Sequence, residues 1–150
     1  MTVSVTNAQR EVPVDASRMA RVARLAVKHL RIRTRGRLAI TFIDSRRMRT
    51  LNRRFLRHDR PTDVLSFRYD GEPACLPKPI RRRQVVGEIL IAPRQARTYA
   101  TQHGIAYDEE LSRYVIHGLL HWLGHNDGTL AEQRRMRARE NRLLRRCGIA

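Results

Sequence analysis

From Thr2 to Thr6 apolar and hydroxyl residues alternate, the period of a half-buried strand, and predict a first, edge strand. Pro13 and Asp15 then open a helix whose apolar residues Met19, Val22, Ala23, Ala26, Val27 and Leu30 recur at three- and four-residue spacing. Arg31–Arg37 is a basic connector, and Leu38–Ile43 reads as a strand. Ser45 is placed to cap a second helix that turns Met48, Leu51 and Phe55 to one side. His58–Thr62, marked by Pro61, is a loop before a strand at Val64–Tyr69. Gly71–Arg83 holds three prolines and reads as irregular. The apolar, β-branched run Val85–Ile91 follows as a hairpin or edge partner. Pro93 suits the first turn of a helix reaching about His103. Glu109–Gly124 is the next helix, and Thr129-x-x-Glu132 is a capping box opening a last one to about Arg146. Strands and helices mix without regular alternation, which predicts an α+β fold. It is a single domain over residues 1–150, with a small mixed sheet packed with helices.

Composition narrows the class. A chain of 150 residues, 41% hydrophobic, buries a real core and is not a disordered tail. No apolar run approaches the roughly 20 residues of a membrane span, and the first 15 residues lack the pattern of a signal peptide. Two cysteines, Cys75 and Cys147, make no disulfide framework. These features point to the cytoplasm, with reduced, inert thiols. Charge adds a partner: 31 Lys+Arg against 14 Asp+Glu give +17, and only Lys28 and Lys78 are lysines. Arginine pairs with phosphate bidentately and stacks on bases, so nucleic acid ranks ahead of a membrane surface.

The chemistry is densest in His117-Gly-Leu-Leu-His121-Trp-Leu-Gly124-His125-Asn-Asp127. Residues four apart share a helix face, so His117 and His121 can converge on one ion. A straight helix would carry position 125 roughly 12 Å along the axis from position 117. Gly124 can take the left-handed conformation that ends a helix and turns the chain back. Asp127, with an anionic oxygen, is then the favoured third ligand, and His125 is its rival. Three protein ligands leave a position for water, the catalytic form of a metal site. Two imidazoles and a carboxylate suit Zn2+, with nickel and manganese also compatible by ligand type. Gly118 stands where zinc peptidases of the H-E-x-x-H type carry their general base, so ordinary peptide hydrolysis is disfavoured.

The run His117-Gly118-x-Leu120-His121-x-Leu123-Gly124 resembles the signature of the YbeY family of bacterial single-strand endoribonucleases. Leu51-Asn52-x-x-Phe55 and Asp59-x-Pro61-Thr62-Asp63-Val64-Leu65-Ser66-Phe67 resemble its second block. Gly87-Glu88-Ile89 resembles its Gly-acidic-Ile strand, and Glu132, Met136, Glu140 and Leu144 follow the spacing of its last helix. The resemblance implies a zincin-like α+β fold and one zinc ion. It implies maturation of the 3′ end of 16S rRNA, with a role in ribosome quality control and the small ribosomal subunit as partner. Two positions depart from the family pattern. Its usual third ligand is histidine, where this chain has Asp127, and its functional arginine after the block's aromatic residue is replaced by Leu56, with Arg57 next.

The reading is thus a metal-dependent endoribonuclease on single-stranded rRNA, with a metallopeptidase or a non-catalytic, metal-stabilised ribosome assembly factor as rivals. Metal ligands are His117, His121 and Asp127. Arg57, Glu88 and Asp63 are candidates for the catalytic step, and Arg54, Arg57, Arg81, Arg82 and Arg83 for RNA contacts. Glu88 has the alternative of a buried ion pair, Thr62-Asp63 of a turn before a strand, and Trp122 reads as core. The sequence sets no oligomeric state.

Overall fold

The computed structural model describes residues 1–55, 63–69 and 85–149. In chain order the elements are β1 (Thr2–Asn7), α1 (Ala16–His29), β2 (Arg37–Phe42), α2 (Ser45–Phe55), β3 (Val64–Arg68), β4 (Val85–Ile91), α3 (Pro93–His103), α4 (Tyr107–Trp122) and α5 (Leu130–Arg146). The sheet runs β1-β2-β4-β3. β1 and β4 lie parallel to β2, and β3 lies antiparallel to β4. The sheet is therefore mixed and the fold α+β, as the sequence predicts. The β4 expectation is corrected in part. β4 is the antiparallel partner of β3, but it sits inside the sheet, and β3 is the edge. Its buried Val86, Gly87, Ile89 and Ile91 suit that interior place.

Local chemistry sets the helix ends. Asp15 Oδ1 accepts the Arg18 amide at 3.0 Å and caps α1, whose buried stripe is Met19, Val22, Ala23, Ala26 and Val27. For α2 the cap is Asp44, not Ser45: Asp44 Oδ1 accepts the Arg47 amide at 2.7 Å. Ser45 instead gives its amide and hydroxyl to Glu11 Oε1, a distant partner that claims it. α4 starts at Tyr107, two residues before the predicted start. Asp108, Glu109 and Glu110 in its first turn oppose the positive end of the helix dipole. Thr129 caps α5 as predicted, its Oγ1 accepting the Glu132 amide at 3.1 Å.

α4 is apolar on most of its circumference, with Leu111, Val115, Ile116, Leu119, Leu120 and Trp122 buried, so it belongs in the middle of the protein. It lies against β3 and β4 with α1, α3 and α5 around it. Two glycines permit this approach. A Cβ at Gly118 would stand 2.5 Å from Ile89 Cγ2, and one at Gly87 would meet the Trp122 indole at 2.1 Å. Trp122 is core, with its Nε1 donating to the Val86 carbonyl at 3.3 Å. α2 covers the other sheet face, where Met48 and Leu51 pack with Leu65, Phe67 and Leu90. Cys147 is a free thiol, half-buried, with its pKa raised by burial; Cys75 lies outside the described residues. No helix among the described residues is long and apolar enough to cross a membrane.

Candidate metal centre

α4 ends at Trp122 with Leu123 as its cap. Gly124 follows with φ +96°, a value that L side chains rarely adopt. The Gly124 amide donates to His121 O at 2.9 Å and the His125 amide to Leu120 O at 3.1 Å. These are the two bonds of a Schellman turn, and they reverse the chain. Asp127 returns to the helix face that carries His117 and His121. Its Oδ2 lies 3.5 Å from His117 Nε2 and 3.3 Å from His121 Nε2. Each of the three residues offers a ligand atom within 4.8 Å of the others.

Those separations fit an ion. Bonds of about 2.0–2.1 Å in a tetrahedral array require donors roughly 3.3–3.4 Å apart. Two nitrogens and a carboxylate oxygen also form a suitable donor set for zinc or a similar divalent ion. Each side chain remains between 26% and 40% exposed, so the cluster faces an accessible space rather than a closed structural cage. His125 is not part of the cluster. Its backbone closes the turn, and its pKa is lowered by burial and then by Arg139 and His121.

Behind the cluster lies a residue whose role was not read from the sequence. His117 Nδ1 is 2.6 Å from Glu140 Oε2. An ionised carboxylate can only accept, so the proton belongs on Nδ1 and the Nε2 lone pair is left toward Asp127 and His121. Glu140 is buried, and Arg113 Nη1 donates to its other oxygen at 3.3 Å and to Asn141 Oδ1 at 2.8 Å. Arg113 Nε also faces Glu110 Oε2 at 3.7 Å. Burial raises the Glu110 pKa, while Arg113 and Arg137 oppose the rise. A signal for Glu140 was present: it lies four residues after Met136 and four before Leu144, a carboxylate on the apolar stripe of α5.

The cluster opens into a cleft of about 650 Å³. α4 lines it through Arg113, Tyr114, His117 and His121, and β3 is approached by Asp63 at its start. α5 contributes Gln133, Met136, Arg137 and Glu140. Of the catalytic candidates, Asp63 is therefore at the cleft. Burial pushes its carboxyl pKa upward, and the neighbouring Tyr114 hydroxyl opposes the rise. Glu88 does not line the cleft. It alternates with Gly87 and Ile89, which face α4, so it points from the opposite sheet face. There it accepts the Tyr69 hydroxyl at 2.8 Å, in place of the buried ion pair considered above. Arg54 is exposed on α2, with its guanidinium 5.6 Å from the Phe55 ring centre. Arg57, Arg81, Arg82, Arg83, Leu56 and Thr62 lie outside the described residues.

Residues 4–148 match the family model described as Endoribonuclease YbeY. The chain belongs to the YbeY family. It is 32% identical over 144 residues to an Endoribonuclease YbeY of Thermobifida fusca, covering 96% of this chain and 92% of that protein. It is 36% identical over 114 residues to the Endoribonuclease YbeY of Geobacillus kaustophilus, covering 75% and 73%. The fold is similar to the solution structure of TM1509 from Thermotoga maritima. That match has a TM-score of 0.60 at 19% identity, covering 97% of this chain and 89% of that one. The YbeY match thus spans α4, the turn after it and α5, which together build and brace the cluster.

Proposed function

We propose that the chain is a metal-dependent endoribonuclease that cuts single-stranded rRNA. In this reading it acts in the cytoplasm, in 3′-end maturation of 16S rRNA and in quality control of the small ribosomal subunit. The observation that carries it is the half-open cluster of His117, His121 and Asp127, braced by buried Glu140, at the wall of a large cleft. Membership of the YbeY family and a net charge of +17 supply the substrate class. His117, His121 and Asp127 would hold one Zn2+. When bound, such an ion supplies Lewis-acid polarisation of a phosphodiester.

The protein's own groups do the rest. Glu140 holds the His117 ring in one orientation and tautomer, and Arg113 holds Glu140. Asp63 is a cleft carboxyl that would move a proton, with the Tyr114 hydroxyl beside it. Where a ribose 2′-hydroxyl is the nucleophile, no water-activating base is needed.

The peptidase reading loses further ground to geometry. A Cβ at position 118 would already meet Ile89 at 2.5 Å and Val64 at 3.0 Å, so a glutamate base there has no room while α4 lies on the sheet. The purely structural reading fits poorly with ligands that remain a quarter or more exposed.

Incubating the purified protein with labelled single-stranded RNA and with casein, with and without chelator, tests the reading. RNA should be cut, chelator should stop it, and added zinc should restore it. Casein cleavage or chelator-insensitive RNA cleavage would overturn it. Binding to RNA should weaken with salt, with a log–log slope of about −0.7 per phosphate contacted.

A further inference from the structure

Among the described residues, two arginines line the cleft, Arg113 and Arg137. They are not equivalent. Arg113 is buried, and its Nη1 is committed to Glu140 and Asn141. Arg137 stands on α5 one turn before Glu140, with 48% of its side chain exposed. Its Nη1 is 3.8 Å from Glu140 Oε1, beyond hydrogen-bond range. The contact is long and open to solvent on the arginine side, and Glu140 already has Arg113 and His117. Arg137 is therefore a planar cation whose donors remain available beside the cluster. Through Glu140 it sits two contacts from the ligand His117.

We propose that Arg137 is a catalytic residue that contacts the scissile phosphate, pairing with its non-bridging oxygens where the phosphodiester lies over His117, His121 and Asp127. The proposal rests on the ribonuclease reading. A guanidinium matches two phosphoryl oxygens in one plane, which an ammonium does not. Arg137 forms no covalent bond and moves no proton. It opposes the charge that builds on the phosphoryl oxygens, and such a fixed donor acts most strongly in the transition state. Arg134, one turn before Arg137, is exposed on the same helix and gives a polyanion a cationic approach.

The test uses zinc-loaded wild type, Arg137→Gln, Arg137→Lys and, as a control outside the cleft lining, Arg135→Ala. Cleavage of a short single-stranded RNA should show kcat lower by about 10²–10³ in Arg137→Gln, with a smaller change in KM. Arg137→Lys should recover only part of the loss, and Arg135→Ala should keep kcat within a few-fold of wild type. Zinc stoichiometry and melting temperature should be unchanged in Arg137→Gln. Calorimetric titration with inorganic phosphate supplies a readout independent of cleavage, and Arg137→Gln should bind it at least tenfold more weakly. Wild type that fails to cut RNA would sink the ribonuclease reading, and the phosphate titration alone would then judge Arg137. Unchanged kcat with unchanged phosphate affinity, or loss of zinc in Arg137→Gln, would overturn the proposal.

Discussion

His117 Nδ1 and Glu140 Oε2 lie 2.6 Å apart, and this bond joins the histidine face of α4 to the buried stripe of α5. It makes the geometry of the cluster depend on a helix that supplies none of its three residues. Arg113 extends the dependence back to α4, since its Nη1 reaches both Glu140 and Asn141.

Glu140→Gln should therefore weaken zinc binding by about 10–100-fold, the usual cost of losing the partner behind a ligating histidine. Competition against a chelator of known affinity measures it. Glu140→Ala should do the same and also leave Arg113 buried without its carboxylate, at a cost of about 3–5 kcal/mol in urea unfolding. Zinc affinity equal to wild type in both variants would remove Glu140 from the site.

Gly118 is a second point where packing and site meet. In Gly118→Ala the new Cβ would stand 2.5 Å from Ile89 Cγ2 and 3.0 Å from Val64 Cγ1, so α4 must move off the sheet. Overpacking of this kind costs about 1–3 kcal/mol, or several degrees of melting temperature in a chain of this size. Because the helix carries His117 and His121, zinc affinity should fall with it. Gly118→Glu should not yield a peptidase, because its side chain would enter the sheet interface.

Much of this was legible locally. The HxxxH spacing, the turn glycine and the aspartate after it each have a geometric reason, and they led to the observed cluster. The order of the strands was not legible, because an apolar, β-branched run suits an interior or an edge position equally well until the pairing of β2 with β4 decides it. The α2 cap was misread because Asp44 and Ser45 are both good caps, and the choice is made by Glu11, 34 residues before Ser45. Glu140 was seen only as part of a spacing. Its function needs the packing of α5 on α4, which no local pattern states.

The end of α1 carries a local strain. Arg31 has φ +53°, and its amide and that of Ile32 donate to Lys28 O and Val27 O, the bonds of a Schellman turn. A side chain in that conformation costs about 1–2 kcal/mol, and glycine avoids it while adding some unfolded-state entropy. Arg31→Gly should raise stability by up to about 1 kcal/mol in urea unfolding, without altering zinc binding.

Asp63 predicts a pH effect. Burial raises its pKa in the folded protein above the unfolded value, so the fold holds its proton more tightly than the unfolded chain does. Its contribution is thus favourable below the unfolded pKa and lost as pH rises through the folded one. Asn keeps an acceptor for Tyr114 and carries no charge. Asp63→Asn should match or exceed wild-type stability at pH 7, with any advantage vanishing toward pH 4. Its RNA cleavage should fall by about 10²–10⁴ if it moves the proton. Unchanged cleavage with zinc retained would exclude that role.

The third ligand gives the sharpest separation. Gly124 turns the chain, the His125 amide is used in closing that turn, and Asp127 is the residue whose oxygen returns to both imidazoles. Asp127→Ala leaves two nitrogens and should lose most of its zinc on dialysis. Asp127→His restores a donor at the same position and should retain it. His125→Ala removes a side chain outside the cluster and should keep near-wild-type stoichiometry. A variant set in which His125→Ala loses the metal and Asp127→Ala keeps it would reverse the assignment. The pair His117 and His121 would then stand with a different third partner.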